Sequence, residues 1–575
     1  MVNVINMENI NSRTFGWVQD PSNFESLYKV VSIFNFESVV YENLYNNIIP
    51  KIVEERDGKQ RLIEALEVRP LRIKYSDLVG TSFTPRSIAR CNGIVQAAIG
   101  GQRRPYISDW PADNFVRWAH ALGFIKYNYY DDTFEITEVG LELSNAEDEN
   151  VRNEIIKLAL LSYPPVSRIL SLLETGNVLT KFELGRNLGF IGEDGFTSLP
   201  QDILIMSLGE LEDAKEKNKL KTDVEGSADK YARMIATWLE KVGLVRKTGK
   251  TINVNIGNKE YAENLGQAYI ITTEGIKALN MIRGKSKHKK ISKTVCWEMF
   301  ATKGIDRDYV RTRRAYILKA LIEASNGLSL NEIEEKLQFA GIPEYYTTIK
   351  DDICGFVNVG IDIELHGDKY YLNDEINDFI IPRLKQINKS DVLDKKEQLR
   401  ENLDTLSHEY LSLVDLAYDS SQNRLFEMKV MDLLINECKY GGLHLGGGRK
   451  PDGIIYTQKY GVIIDTKAYS GGYNLPISQS DEMIRYITEN NSRDRESNPN
   501  EWWKNFGEDV DKYYFTFISG EFIGNIAEKL NRIALVTKVN GVALAIYSLL
   551  RLANEIKANR MTLESVEEIF VNDVY

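Results

Sequence analysis

One alternation of polar and apolar positions occurs three times along the first two thirds of the chain. Residues 113–122 read as an amphipathic helix stopped by Gly123, because a glycine just past the last apolar position readily takes the left-handed C-cap. Strict alternation over 126–136 then predicts a β-hairpin, and Thr137-Glu138-Val139-Gly140 opens a further helix. The second copy runs through a helix over 229–242, Gly243, a longer hairpin to Ile271, and Thr272-Thr273-Glu274-Gly275. The third is a helix over 349–359, Gly360 and a hairpin over 362–372. Shorter helices are predicted ahead of the last two copies, over 179–189 with Thr180 as N-cap and over 328–337. Helices, a glycine stop and a hairpin make a winged helix-turn-helix. Three in tandem point to DNA reading, with one helix of each set in a major groove, although any single copy could be a scaffold or a protein-contact module.

The pattern changes after Ile381-Pro382. Residues 388–402 are dense in charge and read as a linker entering a helix, which places a boundary near residue 385. Beyond it helices alternate with apolar strands: a helix over 421–440, two strands within the stretch 447–469, the second over 461–468, a helix over 477–490, a strand over 513–519, and a strand running into a helix over 543–550. That order predicts an α/β domain with a mixed central sheet. The chain is therefore read as multidomain, with α+β winged-helix subdomains at 1–148, 149–290 and 291–385, a linker at 386–404, and an α/β domain at 405–575.

The chemistry concentrates on two of those strands. Asp465 and Lys467 sit two apart on the apolar run Gly461-Val462-Ile463-Ile464, so they share a face. A preceding strand or turn carrying Asp452 brings a second carboxylate to them. Two converging carboxylates repel unless a hard cation lies between them, and Mg²⁺ with oxygen ligands is the usual answer. A phosphodiester cut by activated water, with Lys467 steadying charge, follows from such a centre. The acid-x-lysine pattern also occurs at Asp213-Ala214-Lys215, Asp394-Lys395-Lys396 and Glu427-Met428-Lys429, where helix or linker surroundings predict a solvated face. Only Asp465-Thr466-Lys467 ends an apolar strand, and Pro451-Asp452 is the only Pro-Asp pair in the chain.

Composition adds limits. With 575 residues, 43% hydrophobic and 27% charged, several domains can each bury a core. The formal net charge of −12 argues mildly against a nucleic-acid partner, while Arg283 to Lys290 and Arg311-Thr312-Arg313-Arg314 form local basic clusters able to meet phosphates. Cys91, Cys296, Cys354 and Cys438 fit neither a disulfide framework nor a zinc spacing with the five histidines, and each is expected to be a reduced core residue. No basic leader precedes an apolar core at the N-terminus and no apolar run approaches a membrane span, so a cytoplasmic location is expected.

Longer runs carry a family resemblance. They are Arg13 to Gln19, Thr180 to Phe190, Asp229 to Ile235 and Tyr309 to Ala315, with His444 to Gly447, Lys450 to Gly453, Asp465 to Pro476 and Asp481 to Met483 nearer the C-terminus. In these the chain resembles the FokI-type type IIS restriction endonucleases of the PD-(D/E)XK nuclease superfamily, over essentially its whole length. The resemblance implies three winged-helix recognition subdomains and a restriction-endonuclease-like cleavage domain. It implies a catalytic set of Asp452, Asp465 and Lys467, with Mg²⁺ held by Asp452, Asp465 and the Thr466 backbone carbonyl. The partner it implies is double-stranded DNA, recognised at an asymmetric site, GGATG or a relative, and cut outside it.

The resemblance further implies DNA contacts at Gln19, Asp20, Arg86, Trp110, Thr222, Glu225 and Lys230. Arg86 is the best match to a guanine, since its fork suits O6 and N7; Trp110 could instead be core, and Glu225 a charge near a helix N-terminus. Asp20 and Thr222 each replace an asparagine of the family, and an acid cannot donate as an amide does. The segment from Asp452 to Asp465 is also shorter than the family's. A transient homodimer through the cleavage domain is implied at Asp481 and Arg485, which could equally make an i,i+4 pair on one helix. The resemblance places the cleavage domain against the third module before site binding. Two alternatives stay open on the residues: a winged-helix DNA-binding regulator with an inactive nuclease domain, and a monomeric nickase.

Overall fold

The computed structural model describes residues 2–52, 58–82, 90–101, 104–256, 259–285, 289–385, 388–507 and 510–575. Each of the three repeated segments closes on a three-stranded antiparallel sheet. In the first, Thr133–Ile136 lies between Ile73–Lys74 and Ile125–Asn128, behind the helix Asp109–Ala121. In the second, Lys259–Ile271 lies between Leu179–Thr180 and Val245–Ile256, behind the helix Ser227–Lys241. In the third, Lys369–Leu372 lies between Leu328–Ser329 and Ile363–His366, behind the helix Tyr346–Val359.

The glycine stops take positive φ at Gly123 (76°), Gly243 (74°) and Gly360 (105°), where a Cβ is strained. The first two modules share a second device. Thr137 and Thr272 cap the following helix by accepting from the N–H of Gly140 and Gly275, and a Cβ on either glycine would stand 2.1 Å from the carbonyl oxygen of Phe124 or Leu244. Sequence repetition thus reflects one packing solution used twice. Thr180 is the N-cap expected of it, in a capping box with Glu183.

An N-terminal arm fastens the modules together. The strand Val2–Met7 pairs in parallel with Phe379–Leu384. Further along the arm, Phe15 is buried in the first module's aromatic core, and the Trp17 Nε1 donates to the Met299 carbonyl at 2.8 Å. The Trp238 indole of the second module donates back to the Pro21 carbonyl at 2.8 Å.

The last domain is built on a five-stranded mixed sheet in the order Gly441–His444, Gly453–Tyr456, Tyr460–Lys467, Lys512–Ser519, Gly541–Ala545. The first three strands are antiparallel neighbours and the last three are parallel. Crossover helices explain the parallel half, and Ile477–Ser492 and Ile526–Thr537 pack on each other. The strand Gly441–His444 was not among the expected elements. Its two glycines weaken a β signal, and they are needed because a Cβ on Gly442 would meet the Ile454 carbonyl at 2.4 Å.

Three expectations are corrected. Arg311, Arg313 and Arg314 do not form a phosphate-facing cluster; all are at most 1% exposed. Arg313 bonds Asp352 at 2.7 Å and Glu397 at 3.4 Å, and Arg314 bonds Asp352 at 2.6 Å, so carboxylates on neighbouring helices absorb the charge. The stretch read as a linker entering a helix is helical from Asp391 to Asn402, as expected, but it is packed rather than a solvated tether, because Glu397 and Arg400 are buried completing that same ion-pair network. Cys354 is exposed rather than core, while Cys91 and Cys438 are buried and all four thiols are free.

The cleavage-side core continues into the second module. The helix Gln201–Gly209 shares one hydrophobic cluster with the α/β domain, and Ile203, Leu204, Ile205, Met206 and Leu208 are fully buried. A helix apolar on every side must be covered on every side; here the module's own long hairpin covers one flank and the helix Asn423–Asp432 and the strand Gly441–His444 the other. The α/β domain therefore docks on the second module as well as the third, where His408 Nδ1 bonds Asp351 at 2.6 Å. Among the described residues no single helix is long and apolar enough to cross a membrane.

Candidate active site

Sheet register assembles the acidic pair. Gly453 stands opposite Ile464, so Asp452, one residue before its strand, stands beside Asp465, one residue further along the antiparallel neighbour. Asp452 Oδ2 accepts from the Thr466 N–H at 2.7 Å and the Thr466 hydroxyl at 2.9 Å. Lys467 Nζ donates to Asp465 Oδ1 at 2.7 Å. Asp465 Oδ2 is buried and has no hydrogen-bond partner. An orphaned carboxylate oxygen beside a second carboxylate is what a cation site offers before a cation is considered.

The electrostatics agree. Burial pushes the Asp465 carboxyl well above the usual carboxylate range, Asp452 pushes it further, and Lys467 opposes both. Burial and then Glu427 raise Asp452. Lys467 lies above its ordinary value although burial works against its charge, because Asp465 and Asp452 hold the ammonium. The cluster binds more negative charge than one lysine neutralises, and a divalent cation fits the deficit.

Glu427 is a member that sequence reasoning set aside. Its side chain is 17% exposed, its carboxyl is raised by burial, and it faces His444 Nε2 at 3.6 Å. The neighbouring Lys429 is not solvated either: it is buried and reaches Glu409 at 3.5 Å. The signal was present in the run Leu425-Phe426-Glu427-Met428-Lys429-Val430-Met431, where apolar residues on all sides leave no solvated face. His444 is fully buried, and its Nδ1 meets Ser207 Oγ of the docked helix at 2.8 Å.

The residues expected to face DNA fall into two neighbouring groups. Gln19 is half-buried beside Tyr231, and its N–H donates to Asn114 Oδ1 at 3.4 Å. Asn114 in turn donates to the Trp110 carbonyl at 3.0 Å. Trp110 is 50% exposed, which removes the core alternative, and Asp20 is exposed. Lys230 follows on the helix that carries Tyr231. Thr222 and Glu225 line a groove of about 460 Å³ with Lys181, Phe182, Lys221 and Arg233. Glu225 is held by Lys181 at 2.5 Å and Arg233 at 3.0 Å, so its carboxylate is already committed to two cations. Although burial works against its charge, those cations hold it below its ordinary value. Arg86 lies outside the described residues.

Asp481 and Arg485 do not make the i,i+4 pair on their helix. Asp481 takes Arg532 of the adjacent helix at 2.7 Å, and Arg485 takes Glu482 at 3.2 Å, because these partners are the nearer opposite charges. Both pairs lie on the surface, where Ile477, Leu535 and Val536 are exposed.

A carboxylate pair and a lysine at the end of a mixed sheet, on a domain docked against the second and third of three helix-and-hairpin modules, are the arrangement of a multidomain nuclease that uses divalent metal. Family profiles match in chain order: FokI recognition domain subdomain 1 over 13–146, subdomain 2 over 152–287, the FokI D3 domain over 300–368 and the FokI cleavage domain over 389–574. The chain is 46% identical over 571 residues to the type II restriction enzyme FokI of Planomicrobium okeanokoites, covering 97% of this chain and 98% of that one. It is 33% identical to the type II restriction enzyme StsI of Streptococcus sanguinis, covering 99% and 96%. Two solved structures are similar: FokI, with a TM-score of 0.92, 46% identity and coverage of 98% and 99%, and FokI bound to DNA, with 0.93, 45%, 98% and 100%. The chain belongs to the FokI family of type IIS restriction endonucleases and is a site-specific deoxyribonuclease.

Proposed function

We propose that the chain recognises a short asymmetric site in double-stranded DNA, GGATG or a relative of it, and cuts both strands at a fixed distance outside. Three winged helix-turn-helix subdomains (1–148, 149–290, 291–385) would read the site, and the domain 405–575, joined through 386–404, would cleave. The observation that carries this is the Asp452, Asp465 and Lys467 cluster with its orphaned Asp465 oxygen, on a chain similar throughout to an enzyme solved with DNA.

Asp452, Asp465 and the Thr466 backbone carbonyl are the groups that would hold Mg²⁺, whose demand for hard oxygen ligands suits two carboxylates. When bound, the ion would supply Lewis-acid polarisation and activation of a water. Lys467, fixed by Asp465, is placed to hold a proton or to steady charge on the phosphate. Thr466, by donating twice to Asp452, keeps that carboxylate oriented. Gln19, Asp20, Trp110, Thr222, Glu225 and Lys230, with Arg86, are the base- and phosphate-facing residues of this reading.

One such centre serves one strand, so cutting both implies a transient homodimer of cleavage domains, with Asp481 and Arg485 exchanging partners across a two-fold axis. The exposed Ile477, Leu535 and Val536 beside them support that surface. Asp465→Ala protein should bind the site and fail to cut it with Mg²⁺ present; cutting by that variant overturns the assignment. A nickase is the second reading, motivated by Asp481 and Arg485 each being satisfied within the chain. Rates linear in enzyme with nicked circles as end product would favour it. Sequencing the ends of cut plasmid gives the site and offsets.

A further inference from the structure

Away from the nuclease centre, the first module and the segment entering the third bring three ligand types together. A ring nitrogen of His120, Sγ of Cys296 and a carboxylate oxygen of Glu298 lie within 4.8 Å of one another. His120 comes from the last turn of the helix Asp109–Ala121. Cys296 caps the short helix Trp297–Phe300 that holds Glu298. The 176 residues separating histidine from cysteine hide the set from any motif search, and the fold alone assembles it.

Each ligand is prepared and unspent. His120 Nδ1 bonds the Ile125 carbonyl at 3.1 Å, which fixes the proton there and leaves Nε2 as the lone-pair nitrogen. That Nε2 is buried and has no partner. Glu298 is 1% exposed, receives the Tyr129 hydroxyl at 3.0 Å, and among the described residues has no cationic side chain within ion-pair distance. His120 and Cys296 both line a cavity of about 530 Å³, which gives an ion a way in and a water a place to complete the shell. A carboxylate bound to a phenol and a histidine bound to a carbonyl are the outer contacts that orient ligands in metal sites.

We propose that His120, Cys296 and Glu298 form a site for a borderline-soft divalent ion of the zinc class, distinct from the hard-cation nuclease centre, which ties the first recognition module to the third. Thiolate, imidazole and carboxylate are zinc ligands, and a thiolate selects against Mg²⁺. One thiolate and one carboxylate cancel the charge of a divalent ion, so that binding leaves no net charge beside the buried Glu298. Binding takes the thiol proton to solvent and forms the metal–sulfur bond, with no change of oxidation state.

The test uses the full chain carrying Asp465→Ala, so that the nuclease centre is disabled, with Co²⁺ and Zn²⁺ as probes. A thiolate-to-cobalt charge-transfer band should appear, persist in excess Mg²⁺, vanish on adding Zn²⁺, and be absent in Cys296→Ala. Tyr129→Phe should weaken Co²⁺ binding about 10–100-fold while the band survives at saturation. In the chain without cysteine substitutions, Zn²⁺ should protect Cys296 from alkylation, read by peptide mass spectrometry, and leave exposed Cys354 reactive. Should Cys296→Ala not fold, that protection decides alone. Alkylation of Cys296 unchanged by Zn²⁺, or a cobalt band that survives Cys296→Ala, overturns the proposal.

Discussion

Removing one hydroxyl at Ser207 should loosen the docked cleavage domain. Ser207 Oγ donates to the Ile203 carbonyl at 2.9 Å and meets His444 Nδ1 at 2.8 Å, so the serine accepts from the imidazole N–H. His444 is fully buried and its Nε2 already lacks a partner. In Ser207→Ala the buried Nδ1–H loses its acceptor, at a cost of about 1–3 kcal/mol. Because His444 regains water if the domains part, that cost falls on the docked state only. A loss of about 1–2 kcal/mol multiplies the undocked population roughly 5–30-fold. Hydrogen exchange of the amides in Gln201–Gly209 and Gly441–His444 should quicken by that factor in the variant, with the sheet strand Lys512–Ser519 unchanged. Unaltered exchange in both interface segments would refute the docking role of this contact.

Three other outcomes follow from the same geometry. Arg313→Ala leaves Asp352 and Glu397 buried without their shared cation, and should cost about 3–5 kcal/mol, read as a lower urea midpoint. Gly275→Ala sets a Cβ 2.1 Å from the Leu244 carbonyl and should cost about 1–3 kcal/mol. Gly266→Ala, with nothing near its Cβ, is the control for the same denaturant titration. Burial holds His444 at about 3 against its ordinary 6.5, so between those values the unfolded chain binds the extra proton. The penalty is absent above the ordinary value, and stability is lost as pH falls below it, by up to about 1.4 kcal/mol per pH unit. Urea midpoints measured from pH 7 to pH 5 should fall, and His444→Asn should flatten the slope.

What was legible in the chain was whatever is local. Periodicity marked the helices, glycines marked their ends at Gly123, Gly243 and Gly360, and the apolar strand before Asp465 marked the acid that the register sets beside Asp452. What was hidden is whatever depends on elements distant in sequence. Arg313 and Arg314 read as a basic cluster because Asp352, Glu193 and Glu397 lie up to 121 residues away. Glu427 and Lys429 read as a solvated face because their cover, His444 and Glu409, arrives from other elements. The helix Gln201–Gly209 carried its own clue, apolar on every side, but a single-domain reading has nothing with which to cover it. That helix links the second module to the acidic cluster. It belongs to the module that carries Glu225 and Lys230, and through Ser207 it touches His444 beside Glu427 and Asp452. Anything that moves the second module must therefore act on a buried hydrogen bond a few residues from the Asp452 and Asp465 cluster, and a bond of that size is small enough to break with binding energy.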